Sequence, residues 1–112
     1  MEKQDVLKNA TGVVSENNKV YGCKITVLKK SFHKELYQQY PYGEAKSCGR
    51  FEEGQQFFTT NPWDPPEGFC HWAWADLRAI IHSLHAGNPT VMIASCTDGL
   101  RPVLFKLERM EG

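Results

Sequence analysis

Phe69-Cys70-His71-Trp72-Ala73-Trp74-Ala75-Asp76-Leu77-Arg78-Ala79-Ile80-Ile81-His82-Ser83-Leu84-His85-Ala86 sets the architecture of this chain. Cys70, Ala73, Trp74, Leu77, Ile80, Ile81 and Leu84 recur at three- and four-residue intervals, which lines one face of a helix with apolar groups. Gly87-Asn88-Pro89 stops it. Upstream, Asp64 and Glu67 resemble a capping box, with Pro65 tolerated at a first helical position, whereas Gly68 argues for a start nearer Phe69. No other stretch is both long and helical in period.

The flanking sequence reads as strands. From Val20 to Lys29, Tyr21, Cys23, Ile25 and Val27 alternate with Gly22, Lys24, Thr26 and Leu28, predicting a strand with Cys23 on its buried face. His33 to Tyr40 predicts a short helix ended by Pro41-Tyr42-Gly43. Gly54 predicts a turn, and Phe57 to Thr60 a second, short strand. Thr90 to Cys96 and Val103 to Glu108 predict two more, joined across Thr97 to Pro102 as a hairpin with an Asp98-Gly99 turn. Val103, Phe105 and Leu107 face inward; the inward face of the preceding strand is left open between Val91/Ile93 and Met92/Ala94/Cys96. The expectation is an α+β fold: a small, largely antiparallel sheet of about four strands with one long helix packed across it. Residues 1 to 18, polar and without periodicity, read as a mobile N-terminal arm, and 19 to 110 as a single domain.

Thirteen basic and thirteen acidic residues cancel, so no overall field recruits nucleic acid or anionic lipid, and neither is an expected partner. No apolar run approaches the ~20 residues that span a bilayer, and the polar N-terminus lacks the apolar core of a secretory signal. The expected location is cytoplasmic. There thiols stay reduced, which leaves the four cysteines as core residues, redox groups or metal ligands rather than disulfides.

The four are Cys23, Cys48, Cys70 and Cys96, with no Cys-x-x-Cys among them. Cys70 enters the long helix in its first turn. Free backbone N–H groups and the positive end of the helix dipole there favour a thiolate, the form that binds metals and attacks electrophiles. Cys48 lies in a glycine-flanked loop; Cys23 and Cys96 belong to strands, where a cysteine is commonly a small apolar core residue. His71, Arg78, His82 and His85 fall opposite the apolar stripe. His82 and His85 are close enough to share an ion, although a solvated face is the commoner meaning. Trp63 and Trp72 either wall a pocket around Cys70 or seal the helix end against the proline-rich loop. Asp98 and Arg101 read most simply as a turn aspartate and a solvated arginine rather than a recognition pair.

Three segments together resemble a family of short bacterial and archaeal proteins known only as uncharacterised repeat proteins. They are Cys48-Gly49 with Glu53-Gly54-Gln55-Gln56-Phe57, Pro66-Glu67-Gly68-Phe69-Cys70-His71-Trp72-Ala73, and Cys96 through Phe105; the resemblance spans about Val20 to Arg109. It implies that Cys48 and Cys70 occupy family motif positions, and it supplies no reaction. This chain departs from the pattern in carrying Gly49-Arg50-Phe51 where a Gly-His pair is expected, and it holds one unit rather than a tandem.

Three functions compete. In the first, Cys48, Cys70, Cys23 and Cys96 hold zinc or an iron–sulfur cluster in a closed thiolate set, with a structural or redox role. In the second, the protein is a non-catalytic module for a small ligand or protein partner, with core cysteines and an aromatic corner at Trp63, Phe69 and Trp72. In the third, Cys70 is the nucleophile or redox centre of a thiol-dependent enzyme, with Arg50 or His71 supplying positive charge beside it.

Overall fold

A computed structural model describes residues 20–111. The expected N-terminal arm, residues 1 to 18, lies outside them. The elements run β1 (Gly22–Lys30), α1 (Lys34–Gln39), β2 (Gln56–Thr59), α2 (His71–His85), β3 (Met92–Ser95) and β4 (Val103–Met110). The strands form one antiparallel sheet in the order β2-β1-β4-β3, and α2 packs across one face, so the fold is α+β as the periodicity predicts.

Alternation does most of the work in the two central strands. Cys23, Ile25 and Val27 of β1 and Val103, Phe105 and Leu107 of β4 point beneath the helix, while Lys24, Lys106 and Glu108 stay on the other face. From above, Ala73, Trp74, Leu77, Ile81 and Leu84 complete the core. The open choice in β3 resolves to Met92, Ala94 and Cys96 inward, because pairing Ala94 with the buried Phe105 puts it on the same face, and Val91 and Ile93 are exposed. At the sheet's other margin Phe51, Phe57, Phe69 and Phe105 meet edge to face or tilted, with ring centroids 4.9–5.8 Å apart. Phe51 and Phe69 come from loops, so this cluster fastens both loops to the core.

The helix begins later than its capping-box signature suggests. Asn61 Oδ1 accepts the backbone N–H groups of Trp63 and Asp64, which closes an Asx turn there, and Gly68 at φ +81° breaks any helical path. Cys70 is therefore the N-cap, in extended conformation, and its carbonyl takes the first helical hydrogen bond, from the Trp74 N–H. The other end stops as expected: Gly87, at φ +114°, donates its N–H to the Leu84 carbonyl.

His85 corrects one expectation. It is 3% exposed rather than part of a wet face, because the last turn of α2 dips toward the start of β1. Its Nδ1 meets the Tyr21 carbonyl, and its Nε2 lies 3.4 Å from the Thr59 hydroxyl, which donates to the Asn61 carbonyl at 2.6 Å. With both ring nitrogens engaged, His85 is not free to share an ion with His82. No helix among the described residues is long and apolar enough to cross a membrane.

Candidate functional site

Three thiols that are distant in sequence line one cleft. Cys48 comes from the loop between α1 and β2, Cys70 from the N-cap of α2, and Cys96 from the residue just beyond β3. Phe51, Trp72, Ala73 and Val103 supply the apolar wall, and Asp98 and Arg101 the polar rim. The cavity is about 50 Å³, against the ~300–1,000 Å³ of sites that enclose a drug-sized molecule. It has room for an ion or a few waters, each needing ~10–15 Å³. All three thiols are half-buried and free of disulfides.

Hydrogen bonds tie each pair of these segments together. The Arg50 N–H donates to Cys48 Sγ at 3.4 Å, and Arg50 Nη2 donates to the Phe69 carbonyl at 3.4 Å, joining the Cys48 loop to the residue before Cys70. The Thr97 N–H donates to Asp76 Oδ2 at 2.8 Å, which joins the residue after Cys96 to the second turn of α2.

The third link is the most extensive. Arg101 is only 8% exposed. Its Nε and Nη2 donate to the Glu44 carbonyl at 2.9 and 2.7 Å, Nη2 also donates to the Tyr42 carbonyl, and Nη1 lies 3.4 Å from Asp98 Oδ2. The guanidinium carbon sits 5.1 Å from the centre of the Tyr42 ring and 5.9 Å from that of Tyr37. Gly43 makes this approach possible: a Cβ there would meet Arg101 Nη2 at 2.7 Å, and its φ of +70° suits glycine. The simple reading of a solvated Arg101 is thus overturned, since β3–β4 turn and Cys48 loop are clamped through it.

Asp98 is fully engaged. Its Oδ1 accepts the N–H groups of Leu100 and Arg101 and the Tyr42 hydroxyl, each at 3.1 Å. Burial works to raise its pKa, but the Arg101 N–H, the Tyr42 hydroxyl, the Leu100 N–H and the Arg101 charge together hold it below the ordinary carboxylate value. The turn is an Asx-type loop of six residues rather than a tight Asp-Gly hairpin, and it aims Asp98 inward instead of at solvent.

The other expected site residues lie elsewhere. Cys23 is not brought to the cleft: Val103 in the cleft wall pairs with Lys30, at the end of β1 opposite Cys23 and roughly 20 Å of strand away. Cys23 is fully enclosed, and burial pushes its thiol up to about 12, so at neutral pH it is a protonated core residue. Trp72 lines the cleft while remaining 53% exposed; Trp63 is 68% exposed and stands edge-on to the His82 ring, 5.0 Å between centroids, so it walls no part of it. His71 is exposed and is not among the lining residues, nor is Arg50, which acts as a tie. The sequence signals missed Phe51, Tyr42 and Glu44; only the Asp98–Arg101 spacing was visible, and its importance depends on loop carbonyls that no side-chain pattern announces. Among the described residues no group of three or more His, Cys, Asp and Glu side chains stands close enough to hold a metal ion as it is. Comparison with protein-family models, curated proteins and solved structures gives no significant match.

Proposed function

We propose that this protein binds a soft, sulfur-seeking ion through Cys48, Cys70 and Cys96. The observation that carries this reading is the convergence of three thiols, from a loop, a helix cap and a strand end, on one cavity of about 50 Å³. Cys48, Cys70 and Cys96 pack against the core only half-buried, with the cleft in front of them, whereas Cys23, which is core, sits apart with its side chain enclosed. The volume suits an ion better than an organic substrate. Among the described residues these side chains do not stand close enough to hold an ion as they are, so this reading requires the three sulfurs to close in on binding. The zinc or iron–sulfur site expected from four cysteines thereby becomes a three-sulfur site without Cys23.

The test is metal analysis of protein purified without oxygen, together with titration of the reduced protein with cobalt(II) or cadmium(II), whose thiolate complexes absorb in the near ultraviolet. One ion per chain, lost in Cys48→Ala, Cys70→Ala and Cys96→Ala but retained in Cys23→Ala, is expected. Folded protein that takes up neither ion, or that takes it up equally well without Cys48, Cys70 or Cys96, refutes the proposal.

A further inference from the structure

We infer that two copies of this chain pair through β3, edge to edge about a two-fold axis at Ile93, so that two four-stranded sheets become one. Backbone direction comes first. The Cys96 N–H donates to the Val103 carbonyl at 3.1 Å, and these residues continue the register that sets Ser95 against Leu104. In an antiparallel ladder hydrogen-bonded pairs alternate with non-bonded ones. Ala94 and Met92 therefore also face β4, while Ser95 and Ile93 turn their N–H and C=O groups off the sheet. β3 is an outer strand, and among the described residues no other segment takes up those groups. Nor is the edge guarded. From Asn88 to Thr97 no residue is charged, and Val91 and Ile93 are 53% and 55% exposed. Lysine, proline or a bulge ordinarily protects such an edge. At the opposite margin of the sheet, β2 follows the exposed acids Glu52 and Glu53.

What fits this edge is the same strand reversed. With the axis at Ile93, Val91 meets Ser95 of the second copy on the open face of the sheet, and Met92 meets Ala94 on the helix face. A large side chain thus faces a small one at every position except the axis. Val91, Ile93 and Ser95 all fall in hydrogen-bonded pairs, which gives about six backbone bonds across the joint. An axis at Met92 instead sets Ser95 against Pro89, which has no N–H to give. The core side is complementary too. Asp76 of α2 accepts the Thr97 N–H at 2.8 Å, which turns Asp76 and, one turn on, Ile80 toward β3. Ile80, Met92 and Ala94 are only half-buried, an unclosed margin of the core that a second sheet continues. Charge does not oppose the pairing. Lys106, opposite Ile93, lies 3.5 Å from Glu108. Its counterpart in the second copy is three strand spacings away, roughly 14 Å, beyond the ~10 Å screening length at 0.1 M salt. The joint ends before Cys96, so it does not rest on the three-thiol reading.

The experiment is sedimentation equilibrium of the reduced full-length chain over ~1–500 µM, with amide hydrogen exchange at both ends of that range. The mass is expected to rise to twice that of one chain and no further. The Ile93 and Ser95 amides should exchange at least about tenfold more slowly at the high end, because they are bonded only in the pair. Ile93→Lys sets two ammonium groups against each other on the axis and is expected to weaken the dimer at least about a hundredfold. Ile93→Pro removes an outward N–H while leaving the β3–β4 ladder intact, and it should do the same. Ile93→Thr, uncharged and β-branched, should keep the dimer, as should Phe58→Lys on β2. Melting curves of the dilute variants separate lost folding from lost pairing, and Ile93→Lys decides the matter if Ile93→Pro does not fold. A single chain across the whole range overturns the proposal, as does a dimer that survives Ile93→Lys. A dimer lost in Phe58→Lys, or a mass that climbs past two chains, shows β3 pairing head to tail with β2 and overturns it as well.

Discussion

Replacing Arg101 with alanine removes the side chain that, beside the Tyr42 hydroxyl on Asp98, holds the two loops flanking the cleft together, and the structure fixes how much that removal matters. The Arg101 and Asp98 side chains are 9% and 17% exposed, so the pair behaves as buried, and breaking a buried pair by deleting one partner costs about 3–5 kcal/mol. Two considerations move the value to the lower end. Asp98 keeps its bonds from Leu100, residue 101 and Tyr42, and the carbonyls of Tyr42 and Glu44 lie in an exposed loop where water replaces the guanidinium. A loss of about 3 kcal/mol corresponds to a fall in melting temperature of about 12–20 °C for a domain near this size. Arg101→Lys keeps the charge but not the planar fork over Glu44 and Tyr42, and it recovers about half of the loss. The second readout is local. With the clamp gone the Cys48 loop opens more often, and each ~1.4 kcal/mol taken from local opening raises the open population tenfold. Alkylation of Cys48, followed by peptide mass mapping, is expected to accelerate at least about tenfold in Arg101→Ala relative to the wild type, in conditions where both remain folded. A melting temperature within about 3 °C of wild type, with Cys48 labelling unchanged, would show that the clamp is incidental and that the cleft is held by other means.

Further outcomes follow from individual groups. His85 is buried, and desolvation, with a smaller contribution from His82, outweighs the Tyr21 carbonyl and lowers its pKa below 6.5. Its stabilising contribution is therefore complete above that value and is lost as pH falls toward the folded pKa; melting curves between pH ~7 and ~5 should show a decline that is absent in His85→Gln. Asp98 has the same sign in a lower window: its contribution is present above 3.8 and disappears as pH drops through the depressed folded value, so Asp98→Asn should flatten the acid limb of the stability profile. Native protein at neutral pH is expected to present three reactive cysteines to a thiol reagent and a fourth, Cys23, only after denaturation, given its enclosure and a pKa near 12; labelling of Cys23 as fast as Cys48 contradicts this. Phe51→Ala removes the ring shared by Phe57, Phe69 and Phe105 and backs the cleft with a void, at a cost of about 3–5 kcal/mol measurable by urea unfolding.

Periodicity alone determined a good deal of this protein. The stripe from Ala73 to Leu84 and the alternation through Ile25, Val27, Val103, Phe105 and Leu107 are repeated local signals, each residue restating its neighbour's, and the long helix, the two central strands and most of the core follow from them. The sequence also marked Cys48 and Cys70 as residues beside chain features, a glycine-flanked loop and a helix start, that open a thiol to a ligand. Tertiary structure alone decided which cysteines belong together. Cys96 joins Cys48 and Cys70 because β3 pairs with the β4 edge above Val103, and Cys23 is excluded because it lies at the opposite end of β1; both are consequences of register, which no single strand encodes. The fate of Arg101 was likewise hidden, since its partners are the backbone carbonyls of Tyr42 and Glu44, groups every residue possesses and only the fold brings within reach. A pattern in one segment reports which side of that segment is dry, whereas a site is a meeting of segments, and the chain specifies that meeting only through the packing of the whole.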